Sequence, residues 1–209
     1  AEPHDRFRLV FLANPNSPSG TTLAPEVVAE LAGELDCPLI VDEAYGDFAE
    51  TNCLGLVDQC DNVLVTRSMS KSYALAGLRF GFAAGRPELI EQLAKVKDSY
   101  NCDALAIAGA TAAITDRDWF DQTTQAIIAT RGRLLNALRD LGFTCVDSQA
   151  NFVWCQPPDN QPRQLYERLK TEGILVRYMD YGPCGNGLRI SVGDDGQVDA
   201  LLEKLRGMV

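Results

Sequence analysis

Short apolar segments alternate with amphipathic segments through the first half of the chain. The apolar segments contain almost no polar alternation, which is typical of strands buried on both faces. They lie at 8–12, 38–41, 62–66 and 80–84. Pro25 begins a predicted helix that runs to about Leu35, and a second helix is predicted from Glu88 to about Val96. Strands that alternate with helices predict an α/β fold with a largely parallel sheet covered by helices.

The second half of the chain has a different pattern. A long helix is predicted from Trp119 to Leu141 and ends at Gly142. Shorter predicted elements follow it, with strands at 143–146, 151–155, 174–177 and 187–192 and helices at 163–172 and 198–205. We therefore predict three parts, which are residues 1–118 as part of a large domain, 119–141 as a connecting helix, and 142–209 as a small C-terminal α+β domain.

The composition excludes several classes of partner. The chain has 209 residues, of which 46% are hydrophobic and 23% are charged, and its formal net charge is −10. An acidic chain is a poor ligand for nucleic acid, because phosphate binding requires a basic surface. No apolar segment approaches the roughly 20 residues that span a bilayer. The N-terminal residues lack the pattern of a signal peptide. We expect a cytoplasmic protein without a membrane or nucleic-acid partner.

The cysteine and histidine content argues against metal sites and disulfides. The chain has an odd number of cysteines and no C-x-x-C pair; they are Cys37, Cys53, Cys60, Cys102, Cys145, Cys155 and Cys184. This usage predicts free thiols in a reducing compartment and no metal site. The single histidine, His4, stands near the start of the sequence, which excludes a histidine-based nucleophilic triad further along.

A lysine among hydroxyl side chains follows the third predicted strand. Ser68 and Ser70 precede Lys71, and Arg79 follows within a segment rich in small residues. A lysine amine can form a Schiff base with an aldehyde, while hydroxyls and a guanidinium group can hold a phosphate. Pyridoxal 5′-phosphate (PLP) combines an aldehyde with a phosphate. The sequence therefore predicts a PLP site centred on Lys71.

Two side chains upstream match other needs of the same cofactor. Asp42, which we expect to be buried at the end of the second strand, could pair with the pyridine nitrogen and keep it protonated. Tyr45 could reach the ring hydroxyl from the same loop. Each residue also has a purely structural interpretation, as a solvated lysine, a helix cap or a packing tyrosine. The order of these residues along the chain and their placement at strand ends favour the cofactor site.

Arg189 lies within an apolar predicted strand. A buried arginine requires a partner, because an unpaired charge is costly away from water. Either an acidic side chain of the protein or an anionic group of a substrate would satisfy it.

Four motifs, in this order, resemble the class I/II aminotransferases of PLP fold type I. They are Asn-Pro-Asn-Ser-Pro-Ser-Gly at 14–20, Asp-Glu-Ala-Tyr at 42–45, Ser-Met-Ser-Lys with Leu-Ala-Gly-Leu-Arg-Phe-Gly at 68–81, and Leu-Arg-Ile-Ser-Val-Gly at 188–193. Within the family, Ala-Leu-Ala-Gly-Leu-Arg and Gly-Ile-Leu-Val-Arg resemble the histidinol-phosphate aminotransferases in particular. The resemblance covers nearly all 209 residues. It implies a PLP-binding large domain, truncated here, and a small C-terminal domain.

The resemblance also implies roles for individual residues. Lys71 would bind the cofactor aldehyde and move the proton between the two half-reactions. Asp42 would pair with the pyridine nitrogen and Tyr45 with the ring hydroxyl. The cofactor phosphate would be bound by Ser68, Ser70 and Arg79. The anionic group of the substrate would be bound by Arg189, with Arg177 as a second cation.

One site residue departs from the family pattern. Family members have an asparagine that contacts the ring hydroxyl directly before the second proline of the first motif, where this chain has Ser17 before Pro18. Asparagine stands one residue earlier here, and we predict that Asn16 takes the role through a local shift.

The implied activity is amino-group transfer between histidinol phosphate and 2-oxoglutarate in histidine biosynthesis, by a PLP-dependent homodimer. Threonine-phosphate decarboxylation and other class I/II transaminations are alternatives on the same scaffold. A non-catalytic fragment or binding module is an alternative of another class. It arises because family members carry a long N-terminal part that this sequence lacks, with a phosphate-binding loop, an aromatic that stacks on the cofactor, and a tyrosine lent to the partner subunit.

Overall fold

The computed structural model describes residues 7–182 and 185–209. Contacts between residues divide the chain into two compact units. Unit 1 consists of Ala1–Asn16 and Thr22–Asp121, and unit 2 consists of Ser17–Thr21 and Gln122–Val209. The three-part division predicted at residues 118 and 142 stays a prediction.

Unit 1 contains a four-stranded sheet in the order β1-β2-β3-β4. The strands are β1 Val10–Ala13, β2 Leu39–Asp42, β3 Val63–Ser68 and β4 Gly81–Gly85. The first three are parallel, whereas β4 runs antiparallel to β3. The segment between β3 and β4 contains the 3-10 turn Ala76–Leu78 and no α-helix, so β4 returns beside β3 without the helical crossover that is usual for a parallel connection. The predicted α/β fold class, with its largely parallel sheet, is confirmed.

The helices of unit 1 are α1 Pro25–Gly33, α2 Pro87–Val96 and α3 Ala104–Thr115, and α4 Arg117–Asp140 begins in it. Short 3-10 turns lie at Gly46–Phe48, Leu54–Asp58 and Ala76–Leu78. Proline at the first position begins both α1 and α2, because its missing N–H has no partner there in any helix. The sequence did not predict α3. No helix in the described residues has the length and apolar character to cross a membrane.

The core of unit 1 lies on one face of its sheet. Val28 and Ala32 of α1 pack there against the strand residues Leu39, Val41, Val63 and Val65. Successive side chains of a strand point to opposite faces of the sheet. Val41 points to the core, so Asp42, the next residue, points to the opposite face. Asp42 is exposed there. The prediction that Asp42 is buried was therefore wrong. Only every second residue of a strand points to the core, and Asp42 is not one of them.

Unit 2 contains an antiparallel sheet in the order β5-β6-β8-β7. The strands are β5 Thr144–Cys145, β6 Phe152–Gln156, β7 Arg177–Asp180 and β8 Asn186–Ser191. Most of α4, together with α5 Pro162–Thr171 and α6 Asp195–Arg206, completes the unit. A core of leucines from these helices packs on the face of the sheet that carries Val153, Leu188 and Ile190.

The third strand of unit 2 along the chain was predicted at 174–177 and is found at Arg177–Asp180. Gly173 adopts a left-handed conformation with φ +78°, and the Ile174 N–H donates to the Leu169 carbonyl at 2.9 Å. This arrangement closes α5 and uses the following apolar residues as a connection. The apolar segment therefore marks the end of a helix, and the strand begins where Arg177 meets Arg189.

Candidate functional site

Lys71 lies in the loop between β3 and β4. Met69 fixes this loop: its side chain is buried, its N–H donates to the Phe80 carbonyl at 3.1 Å, and its carbonyl accepts from the Leu75 N–H at 3.0 Å. Two residues beyond Met69, the Lys71 side chain is exposed. The loop thus holds its backbone in place while the amine stays accessible to a ligand.

Tyr45 lies beside Lys71. The Lys71 Nζ is 5.3 Å from the centroid of the Tyr45 ring, which is within the range of a cation–π contact. Tyr45 stands directly before the 3-10 turn at Gly46–Phe48, in the loop that follows β2. The structure therefore brings together two predicted site residues from separate strand ends.

Asp42 is the last residue of β2 and shares this loop with Tyr45. Its Oδ1 accepts a hydrogen bond from the Ala44 N–H at 3.0 Å, which orients the carboxylate within an Asx turn. The side chain is exposed, so a cationic ligand group could approach it directly.

The three predicted phosphate donors are placed differently. The Ser68 Oγ accepts from the Ser70 N–H at 3.1 Å, and both residues are half-buried. Arg79 is exposed and adopts a left-handed conformation with φ +53° at the end of the turn Ala76–Leu78. Its Nη1 donates to the Ala76 carbonyl at 2.8 Å. The structure brings the two serines together and pairs Arg79 with the backbone of its own turn.

A buried ionic network, which the sequence reasoning missed, connects the two loops. Arg67 bonds Glu43 at 2.7 Å and Asp47 at 2.5 Å. Asp47 also accepts from the Ser72 hydroxyl, and Glu43, only 1% exposed, accepts from the Cys53 N–H. Glu43 is adjacent to Asp42, and Ser72 is adjacent to Lys71. The network therefore fixes the relative positions of the loops that carry the candidate site.

The pattern of alternation contained a signal for this network. Glu43 follows Val41 by two residues, and Arg67 follows Val65 by two, so both point to the core-facing side of the sheet. A carboxylate and a guanidinium that enter the same buried layer are expected to pair.

Asn14 is a second residue that the sequence reasoning passed over. It is 4% exposed, and its side-chain amide donates to the Leu23 carbonyl at 3.1 Å and accepts from the Leu23 N–H at 2.8 Å. Its backbone N–H donates to the Asp42 carbonyl at 2.9 Å. Asn14 therefore anchors the first motif beside β2. Asn16 is half-buried, and its cofactor contact stays a prediction.

Burial also keeps the Cys53 thiol neutral. It raises the pKa of this thiol from 9.0 to about 11, an effect that the nearby Glu43 carboxylate increases. The Asn14 Nδ2 lies 3.5 Å from the sulfur and opposes the shift. The thiol therefore acts as a packed side chain and not as a nucleophile.

The two predicted substrate arginines both belong to unit 2. Arg177 on β7 and Arg189 on β8 are direct neighbours in the antiparallel register, so both project from the face opposite the core of this unit. The Arg189 Nη1 donates to the Ser17 Oγ at 3.0 Å, and its guanidinium carbon lies 5.0 Å from the Phe152 ring centroid. Thus Ser17, the residue that replaces the family asparagine, contacts Arg189.

Neither arginine pairs with a carboxylate within residues 7–182 and 185–209. The Arg189 Nε is buried without a hydrogen-bond partner in the same part of the chain. The described residues therefore offer no internal acid for Arg189, which was one of its two predicted partners.

Comparison with known proteins identifies the class to which the chain belongs. Residues 1–205 match the family model for aminotransferase class I and II, so the chain belongs to that family. It is similar to the histidinol-phosphate aminotransferase of Rhodopirellula baltica, with 51% identity over 201 residues, which are 96% of this chain and 56% of that protein. It is 46% identical to histidinol-phosphate aminotransferase 1 of Nostoc sp. over 201 residues, covering 96% of this chain and 57% of that one.

Solved structures agree with this assignment. The histidinol-phosphate aminotransferase of Sinorhizobium meliloti, described in complex with pyridoxal-5′-phosphate, superposes with a TM-score of 0.86 at 30% identity. That match covers 97% of this chain and 58% of the solved chain. The L-threonine-O-3-phosphate decarboxylase of Porphyromonas gingivalis has a TM-score of 0.84 at 20% identity, with 97% and 64% of the two chains covered, and shows the fold alone. The chain thus spans little more than half the length of the curated relatives it matches.

Proposed function

We propose that this chain binds PLP and takes part in amino-group transfer between histidinol phosphate and 2-oxoglutarate, a step in histidine biosynthesis. The observation that carries the proposal is the exposed Lys71 amine, 5.3 Å from the Tyr45 ring centroid, in the loop that begins with the hydrogen-bonded pair Ser68 and Ser70. An amine, a phenol, hydroxyls and the exposed Asp42 carboxylate form a set of groups that suits an aldehyde, a ring hydroxyl, a phosphate and a pyridinium. The identity of 51% to a histidinol-phosphate aminotransferase supports the choice of substrate.

Each residue of the candidate site has a separate task in this proposal. Lys71 holds the cofactor aldehyde and carries the transferred proton at Nζ. The Asp42 carboxylate pairs with the protonated pyridine nitrogen, and the Tyr45 hydroxyl donates to the ring oxygen. The bound cofactor withdraws electrons from the carbon that carries the amino group. The remaining contacts, to the ring hydroxyl and the phosphate, fall to Asn16, Ser68, Ser70 and Arg79.

Arg189 and Arg177 would bind the anionic group of the substrate. Planar guanidinium groups form paired hydrogen bonds with both carboxylates and phosphates. Two adjacent arginines without an acidic partner in the described residues therefore suit a protein that must accept histidinol phosphate and a dicarboxylic oxo acid in turn.

Reductive labelling tests the proposal without relying on turnover. The chain is mixed with PLP, the visible spectrum is recorded, and borohydride then fixes the cofactor to its lysine for peptide mass spectrometry. We expect a visible absorption band and a label on Lys71. The variant Lys71→Ala should lose both, whereas Lys95→Ala, at an exposed lysine of α2, should keep both.

A band that persists in Lys71→Ala, or a label on another lysine, would contradict the assignment. A wild-type chain that binds no PLP would favour the non-catalytic alternative. Activity is then measured as 2-oxoglutarate-dependent loss of the amine from histidinol phosphate. Release of carbon dioxide from threonine phosphate would instead indicate the decarboxylase.

We also infer a homodimer in the cytoplasm. Exposed apolar side chains in unit 1 support self-association, namely Leu93, Val96, Tyr100, Leu105, Ile107 and Ile114. An interface that covered these side chains would remove their apolar surface from water.

A further inference from the structure

Two cysteines of unit 2 lie directly opposite each other on neighbouring strands. Cys145 on β5 is the register partner of Cys155 on β6. The Val146 N–H donates to the Trp154 carbonyl at 3.3 Å, which makes the cysteines a non-hydrogen-bonded pair of the antiparallel ladder. In such pairs the Cα atoms are about 4.5 Å apart and the side chains project to the same face. Disulfides span about 4.4–6.8 Å between Cα atoms, so this pair can be bridged without backbone movement.

The two thiols differ in exposure. Cys155 is wholly buried in the core of unit 2, while Cys145 is half-buried at the edge of the same core, on the short outer strand β5. A small molecule can therefore reach the sulfur of Cys145 before that of Cys155.

Charges and hydrogen bonds add to this difference. Interaction with the Cys155 thiol and, less strongly, with the Arg139 guanidinium of α4 lowers the pKa of Cys145, in spite of partial burial and the opposing Asp147 carboxylate. Interaction with Cys145, together with burial, raises the pKa of Cys155. The thiolate therefore forms first on the more exposed sulfur.

We propose that Cys145 and Cys155 form a thiol–disulfide exchange site for small-molecule disulfides, with Cys145 as the attacking thiol and Cys155 as the resolving thiol. The site lies in unit 2 and uses none of the residues assigned to cofactor or substrate, so it does not depend on the proposed transamination.

The exchange balances with a disulfide RS–SR as the oxidant. The Cys145 thiolate attacks one sulfur, the RS–SR bond breaks, and one RS⁻ leaves to take up a proton, which gives a mixed disulfide on Cys145. The Cys155 thiolate, after losing its proton to solvent, attacks the Cys145 sulfur and expels the second RS⁻, which is also protonated. In total, two protein thiols are oxidised to one disulfide and one small disulfide is reduced to two thiols.

Oxidised glutathione provides the test. The folded, reduced 209-residue chain is incubated with oxidised glutathione, the remaining thiols are alkylated, and the product is digested with a protease that cleaves before aspartate. Cleavage before Asp140, Asp147 and Asp159 places Cys145 in the peptide 140–146 and Cys155 in 147–158. We expect these two peptides to be joined, lighter by two hydrogen atoms than their sum, and to separate on reduction. Two unjoined, alkylated peptides would overturn the proposal.

Single variants assign the two roles. Cys155→Ser should trap one glutathione on Cys145, because no resolving thiol remains. Cys145→Ser should gain no glutathione at Cys155, which is buried. Cys60→Ser, at a half-buried thiol of unit 1, should leave the joined peptides unchanged. Glutathione on Cys155 of Cys145→Ser, with none on Cys145 of Cys155→Ser, would overturn the assigned order, and the wild-type digest decides the site itself even if a variant misfolds.

Discussion

At the scale of single residues, the buried carboxylate of Glu43 depends on Arg67 for neutralisation of its charge. Glu43 is 1% exposed and is neutralised by Arg67, which also holds Asp47. The variant Arg67→Met would leave a buried carboxylate without a cation, and we expect a loss of about 3–5 kcal/mol in the free energy of unfolding. Urea titration followed by the fluorescence of Trp119, in a Trp154→Phe background, would measure this loss in unit 1.

An exposed ion pair supplies the control for Arg67. Arg139 bonds Asp147 at 2.5 Å, but the two side chains are 42% and 85% exposed. Arg139→Met should therefore cost no more than about 1 kcal/mol. Combining Arg67→Met with Glu43→Gln should restore part of the stability, because the buried charge is then removed as well. Equal losses in the free energy of unfolding for Arg67→Met and Arg139→Met would show that the Glu43 carboxylate becomes solvated when Arg67 is removed, and would contradict the prediction.

A second residue-scale prediction concerns pH. The pKa of Cys53 is raised by burial from 9.0 to about 11, so the unfolded chain releases this proton at lower pH than the folded chain. The stabilisation that results is complete below pH 9 and is lost as the pH rises toward 11. Cys53→Ala should therefore lose less stability than the wild type across this range, by about 2 kcal/mol. Urea titrations at both ends of the range would measure the difference, and parallel pH dependence in the two proteins would contradict it.

Single residues also mark the limit of what the sequence predicts. The motif order pointed to Lys71 and Tyr45, and these two residues lie together in the structure. The exposure of Asp42 and the pairing of Arg67 with Glu43 depend instead on which face of the sheet each side chain occupies. That choice follows from alternation counted from the core residues, and it cannot be made from the apolar character of a strand alone.

At the scale of elements, the sequence failed where hydrophobic periodicity was missing or misleading. The segment Ala104–Thr115 is apolar on every side and so shows no helical stripe, although Asp103 caps it by accepting from the Leu105 and Ala106 N–H groups. The cap was the available signal for α3. For β7 the apolar pattern was misleading. The predicted strand included Leu175, which is 79% exposed in the connection before β7.

The start of α6 offers a prediction at this scale. The Asp194 carboxylate accepts from the Gln197 N–H at 2.8 Å, and the Gln197 side chain accepts from the Asp194 N–H at 3.1 Å, which completes a capping box. Asp194→Ala removes one half of this box and should lower the free energy of unfolding of unit 2 by about 1 kcal/mol. Asp194→Ser keeps an acceptor and should retain most of it. Urea titration followed by Trp154 fluorescence, with Trp119 changed to Phe, would measure both; similar losses for the two variants would rule out the cap as the cause.

At the scale of the whole molecule, the distribution of charge complements the proposed ligands. The chain has a formal net charge of −10, yet each unit carries predicted site cations of its own, Lys71 and Arg79 in unit 1 and Arg177 and Arg189 in unit 2. In the proposed function these cations attract small anions locally, whereas the acidic surface of the chain disfavours polyanions. This contrast is consistent with the proposed phosphorylated substrate and with the expected absence of a nucleic-acid partner.

The proposed homodimer gives the last prediction. Leu105 of α3 is 77% exposed, and other apolar side chains of unit 1 are also exposed, whereas Leu175 of unit 2 is similarly exposed, at 79%, between the partly buried residues Ile174 and Val176. If unit 1 carries the dimer interface, Leu105→Asp places a charge in an apolar contact and should weaken dimerisation by about tenfold or more. Leu175→Asp should leave it unchanged. Sedimentation equilibrium over a range of concentrations would measure both dissociation constants, and a larger effect of Leu175→Asp would move the interface to unit 2.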